Sequence, residues 1–210
     1  MALSATASDA AVPAPAVAVR DALRQATSHL HAAVDAGMPL SGPAPSLADY
    51  HAHLCLLRDW VRLLQALPGM AERLAAERAA LNADIEACER LRGATSPAWA
   101  PAAAAAVPLA GSPAQHAARA WGVAYVVEGS RLGGQVLYRR LAAPLAPHPL
   151  RYLQGAGAQT GARWRAFLDE LRAALDTPAR VQAACEGAVW AFERLLQLSR
   201  HAAAPGERAA

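Results

Sequence analysis

The chain has 210 residues, of which 54% are apolar and 18% charged, with a formal charge of +3. That length supports one sizeable core. The charge is modest and its arginines are scattered among glutamates, which argues against nucleic-acid binding. No run of about 18 uninterrupted apolar residues occurs, so no membrane span is expected.

Lysine is absent, so all 20 basic residues are arginine. With abundant Ala, Pro and Gly, this reflects a GC-rich genome more than a function. Much of the apolar content is alanine, which favours helix. Alternating β-branched runs are missing, so an all-α fold of six to eight helices is expected. Cys55, Cys88 and Cys185 are odd in number and lack a CxxC spacing. They read as reduced core thiols of a cytoplasmic protein.

Residues 1–16 are Ala/Pro/Ser-rich without a basic start, and read as a disordered tail rather than a signal peptide. The domain then runs from 17 to 201, and 202–210 form a short C-terminal tail. The first helix spans about Val17 to Val34 and stops near Gly37. Ser46 with Asp49 has the pattern of a capping box. It opens a second helix, in which Leu47, Tyr50, Leu54, Leu57, Val61 and Leu64 recur in threes and fours. Pro68 separates this from a third helical region, about Ala71 to Leu91, with an interruption expected near Asn82. Gly93 to Gly111 is Pro- and Ala-rich and reads as a surface connection. Ser112 followed by Pro113 starts a long helix reaching Leu141. Pro144, Pro147 and Pro149 mark the next break. A helix from about Gln159 to Leu175 carries Trp164, Phe167 and Leu171 on one side. Thr177-Pro178 opens the last helix, with Val181, Cys185, Ala188, Phe192 and Leu195 as its apolar stripe.

Two stretches point to chemistry. The long helix contains Glu128-Gly129-Ser130-Arg131-Leu132-Gly133-Gly134-Gln135. Glycine inside a helix costs roughly 1 kcal/mol relative to alanine, and this chain has alanine in plenty. At 100° per residue, Gly122, Val126, Gly129 and Gly133 fall within roughly 60° of arc, with Ser130 at the border. The helix thus presents a bare strip, suited either to close helix packing or to a flat ligand. In the first helix, Arg20, Arg24, Thr27 and His31 form one narrow stripe, and His29 points roughly 160° away. An imidazole with a guanidinium two turns away suits a planar ligand that has a metal at its centre and carboxylates at its edge; haem is such a ligand.

Together these stretches resemble the haem oxygenase family, particularly its bacterial members. Leu23-Arg24-Gln25-Ala26-Thr27-Ser28-His29-Leu30-His31 is similar to the family's proximal-helix motif. Ala124-Tyr125-Val126-Val127-Glu128-Gly129-Ser130-Arg131-Leu132-Gly133-Gly134-Gln135-Val136-Leu137 is similar to its distal-helix motif. Weaker echoes occur at Ser46 to Leu64 and Phe192 to Leu195. The resemblance implies a haem-degrading monooxygenase with haem as substrate and cofactor, held between the two helices. Its products are biliverdin, carbon monoxide and iron, made with O2 and electrons from a separate reductant such as a ferredoxin or flavoprotein reductase. A biliverdin-binding photoreceptor is a further implied partner. His31 would be the iron ligand, with Gly129, Ser130 and Gly133 on the oxygen side. Arg24, Thr27, Tyr125 and Gly134 would join His31, Gly129 and Gly133 in holding the macrocycle.

Ser130 stands where mammalian members carry an aspartate, which leaves the proton-delivery group open. With no lysine available, propionate partners must be arginines: Arg24, with Arg163 and Arg165 as further candidates. The other ring nitrogen of His31 should donate to an acceptor; glutamates are the candidates.

Other groups read as structural. His51 and Cys55 share a helix face but His53 does not, and two neighbours do not complete a zinc site. His116 reads as a surface histidine, and Asp84 and Glu86 as solvated. Trp60, Trp99, Trp121, Trp164 and Trp190 read as core or packing residues. Ser130 lacks a base at a recognisable spacing, so hydrolase chemistry is not expected. The alternatives to an oxygenase are a non-catalytic haem carrier or sensor with the same fold, a thiamin-degrading relative, and a plain helical interaction protein.

Overall fold

The computed structural model describes residues 16–93, 95 and 111–203. Within them lie eight α-helices: α1 (Ala16–Gly37), α2 (Leu47–Gln65), α3 (Met70–Arg73), α4 (Ala75–Arg92), α5 (Pro113–Leu141), α6 (Arg151–Gln154), α7 (Thr160–Ala174) and α8 (Pro178–Ala203). A single 3-10 turn, Gly157–Gln159, precedes α7. The all-α expectation holds. Trp99, nearly all of the Gly93 to Gly111 connection and most of both expected tails lie outside the described residues, although α1 begins at Ala16 and α8 reaches Ala203.

Helix starts follow the local chemistry. Ser46 Oγ accepts from the Asp49 N–H (3.2 Å) while Asp49 Oδ2 accepts from the Ser46 N–H (2.8 Å). Ser112 and Gln115 repeat the arrangement at α5, with Pro113 in the first turn. Each box satisfies donors that a helix end leaves without partners. The third helical region breaks at Leu74 rather than near Asn82. Asparagine is only mildly unfavourable within a helix, and the break at Leu74 lets both Met70 and Leu74 bury. The short α6 was not expected; four residues are too few to show a period.

α8 is the organising element: α5, α1 and α2 all pack on it, and α2 also packs on α4. The α5–α8 crossing is close because two glycines meet backbone across it. A Cβ at Gly122 would fall inside the Ala184 carbonyl and 2.9 Å from Ala188 N. Gly187 on α8 is equally tight against the Arg119 backbone. Trp60, fully buried, ties α2 to α8 by donating Nε1–H to the Ala191 carbonyl at 2.8 Å.

Asp84 is not solvated, as the sequence suggested, but fully buried. Its Oδ2 accepts from the Tyr50 hydroxyl and the Tyr152 N–H, both at 2.8 Å. Beside it the His148 Nδ1 accepts from the Leu150 N–H at 3.0 Å. These bonds hold α6 against the body, and α6 in turn meets α5. Glu86 is exposed, as expected. Cys55, Cys88 and Cys185 are free thiols, and burial pushes the Cys88 thiol up to about 12.

His53 is buried with Nδ1 lacking a partner, and burial pushes its imidazole down from 6.5 to about 4. The unfolded chain therefore binds a proton in this range that the folded chain refuses. The stability at stake is fully present above pH 6.5 and is lost as pH falls toward 4, by about 3 kcal/mol. His51, pushed down by burial and by Arg92, adds in the same direction. Urea unfolding of wild type and His53→Leu at pH 7 and pH 4.5 should show a shallower pH dependence in the variant.

Candidate functional site

α1 and α5 both rest on α8 without packing extensively on each other. The haem cleft that the resemblance implies would be the space between them, with α8 as its floor. Two contacts set the relation of its walls. At one end Tyr125 of α5 lies within the electrostatic reach of Arg20 and Arg24 of α1; burial raises the pKa of its phenol, and the two guanidiniums oppose that rise. At the other end the Arg140 guanidinium donates to the Leu40 carbonyl just past α1. The two helices thus run side by side in the same direction.

On the α1 wall, His31 stands at the edge of the buried face with its side chain 65% exposed. Its ring lies 5.9 Å from Phe192 on the floor. The acceptor for its second nitrogen is Asp35, not a glutamate: Nδ1 and Asp35 Oδ2 are 2.9 Å apart. An Nδ1–H donated there leaves the Nε2 lone pair free. The i,i+4 spacing of these two residues was legible in the sequence. Arg24 is exposed and has no ion-pair partner among the described residues, whereas Arg20 pairs with Asp21 at 3.2 Å. His29 is exposed on the other side of the helix. Thr27 is turned into the core, 4% exposed, and its hydroxyl donates to the Leu23 carbonyl at 2.8 Å.

On the α5 wall, the glycine strip divides. Gly122 and the buried Val126 belong to the α8 contact, so the packing reading applies at that end. Gly133 is exposed, and a Cβ there would meet nothing within 4 Å. A Cβ at Gly129 would meet only the tip of the Trp164 indole, at 3.9 Å. One turn beyond Gly133 on the same face, Val136 is 59% exposed, one of two large apolar side chains so exposed among the described residues. Tyr125, Gly129, Gly133 and Val136 therefore share one face, open at Gly133 and Val136 and covered by Trp164 at Tyr125 and Gly129. Gly134 points elsewhere, 3.4 Å from the Leu153 carbonyl of α6 at its Cβ position. Ser130 is exposed about 100° round the helix from Gly129, and its hydroxyl donates to the Val127 carbonyl at 2.7 Å.

A chain of charges behind the strip was not foreseen. Glu77 of α4 is 6% exposed and receives the Arg131 Nε–H and Nη2–H at 2.9 and 2.6 Å. Arg131 Nη1 donates to Glu128 at 2.5 Å, and Glu128 also takes two bonds of 3.1 Å from Arg163 of α7. Burial pushes the Glu128 carboxyl up, but Arg163 and Arg131 outweigh it and hold it below the usual range. Arg163 is thus engaged with Glu128, while Arg165 is exposed. Glu128 and Arg131 are a local i,i+3 pair, but only tertiary structure brings Glu77 of α4 and Arg163 of α7 to them. His116 is half-buried near the start of α5, away from the strip. Trp121 and Trp164 are packing residues as expected.

His31 and Arg24 are exposed on α1, and Tyr125, Gly129 and Gly133 share one face of α5. The structure turns Thr27, Gly134 and the Ser130 hydroxyl to other partners.

The Heme oxygenase family model matches residues 18–201, a span that holds both walls and the floor. The chain is also similar to a heme oxygenase of Xanthomonas campestris pv. campestris (strain 8004), with 41% identity over 86 residues. That stretch is 40% of this chain and spans half the length of the relative. No helix among the described residues is long and apolar enough to cross a membrane. A family match over nearly the whole domain agrees with the separate reading of its two helical motifs, and the chain belongs to the haem oxygenase family.

Proposed function

We propose that this protein binds haem in the α1–α5 cleft and cleaves it oxidatively to biliverdin, carbon monoxide and iron, using O2 and an external donor such as a ferredoxin or flavoprotein reductase. One observation carries the reading. His31 is exposed on α1 with Nδ1 paired to Asp35, which leaves Nε2 for a metal, and α5 carries a bare position at Gly133. The rest of the cleft fits the same ligand. Arg24, without an ion-pair partner among the described residues, is a cation two turns from His31 that could meet a carboxylate. Val136 and the floor offer apolar contact to a macrocycle.

Haem, when bound, supplies the oxygen activation and the oxidisable bridging carbons. The chain supplies the rest. Asp35 keeps the proton on Nδ1, which fixes the neutral tautomer and aims Nε2 into the cleft. Gly129 and Gly133 let backbone approach where a side chain would obstruct, and so restrict which edge of the ring is reached. Ser130 has given its hydrogen to Val127, so its oxygen lone pairs remain to hold a water. The buried free thiols suit a reducing compartment such as the cytoplasm.

Haem titration of the purified protein should give a one-to-one complex with a histidine-ligated spectrum. Arg24→Glu replaces a carboxylate partner with a like charge and should weaken binding about tenfold or more, or flip the macrocycle. Wild-type affinity with unchanged product would remove Arg24 from the site.

A further inference from the structure

We infer that Trp164 is the wall that seats a flat macrocycle along the α5 strip and thereby selects the bridging carbon that is cleaved; the inference rests on the haem reading above. The strip is open at Gly133, but at Gly129, one turn earlier, the indole tip of Trp164 lies 3.9 Å from the Cβ position. A planar ligand advancing along the strip from Val136 meets that indole first.

The wall is held firmly. Trp164 stacks on Phe167 with centroids 5.7 Å apart and planes 24° apart, and it meets Tyr125 at 5.5 Å. Phe167 continues the stack to Trp121 at 5.8 Å, and Arg73 lies 4.3 Å over the Trp121 ring. The neighbouring Arg163 pins the same turn of α7 to Glu128, directly before Gly129. Trp164 also lines a cavity of about 300 Å³ together with Ala80, Tyr152 and the charged Glu77, Glu128 and Arg131. Trp164 therefore touches the strip and the cavity at once. Truncating it would remove the stop at Gly129, so a bound macrocycle could slide or rotate.

Two readouts test this. Haem-methyl resonances of the ferric complex report seating without turnover, and the biliverdin isomer ratio reports the cleaved carbon. Trp164→Ala should give a second seating and change the isomer ratio about tenfold, the low end of steric discrimination in an apolar pocket. Trp164→Phe, which keeps a ring on Phe167, should shift both readouts in the same direction to a smaller degree and guards against a failed fold. Trp60→Phe, which loses the hydrogen bond from α2 to the Ala191 carbonyl and lies outside the stack, should lower thermal stability and leave seating and isomer ratio unchanged. One seating and one ratio across wild type and both Trp164 variants would overturn the wall. Altered seating in a protein that does not open the ring would uphold the wall and overturn the oxygenase reading. Wild type that binds no haem would overturn both.

Discussion

His31→Ala is expected to abolish histidine ligation of haem and with it ring opening, while His29→Ala leaves the spectrum unchanged. The two side chains point to opposite sides of α1, and in the proposed site only His31 would reach the haem iron. His31 is well exposed, so its removal should change folding stability by no more than about 0.5 kcal/mol. Loss of ligation then reports the site and not the fold. Asp35→Ala should be intermediate, lowering haem affinity about 10–100-fold by releasing the tautomer and ring orientation of His31. Absorption spectra and melting curves on the three variants check both halves. A changed spectrum for His29→Ala with an unchanged one for His31→Ala would mean that α1 presents its other face.

The second large effect separates the glycines. Gly122→Ala forces a methyl into the Ala184 carbonyl across the α5–α8 crossing, so it should cost about 1–3 kcal/mol or more and lower the melting temperature. Gly133→Ala meets open space in a helical segment. It should leave stability unchanged or raise it by about 0.4–1 kcal/mol, yet cut ring opening or alter its regiochemistry. Fold and function thus move oppositely at two positions of one strip. A lowered melting temperature in Gly133→Ala, with haem turnover per folded molecule unchanged, would assign that glycine to packing as well.

How far the sequence reached depends on the range of the interactions involved. Helix starts at Ser46 and Ser112 were legible because capping is decided within four residues. So was the stripe of Arg24 and His31, because a helix converts spacing into direction. The glycine strip was legible as a strip, but its division was not. Whether Gly122 or Gly133 faces another backbone depends on where α8 crosses, and Gly187, its counterpart, lies far along the chain. Asp84 looked solvated because its partners, Tyr50 and the Tyr152 backbone, come from α2 and α6. The Glu77–Arg131–Glu128–Arg163 chain joins three helices for the same reason. Asp35 could have been chosen over glutamates, since its i,i+4 relation to His31 is local.

The central claim is that the α1–α5 cleft holds haem for its own oxidative cleavage. The most direct test adds reductant and O2 to the one-to-one haem complex and follows absorption while products are extracted. The account predicts loss of the haem band, appearance of biliverdin and release of one carbon monoxide per haem, with none of these in His31→Ala. A haem band that persists through repeated reduction and reoxidation would contradict it and mark the protein as a carrier or sensor.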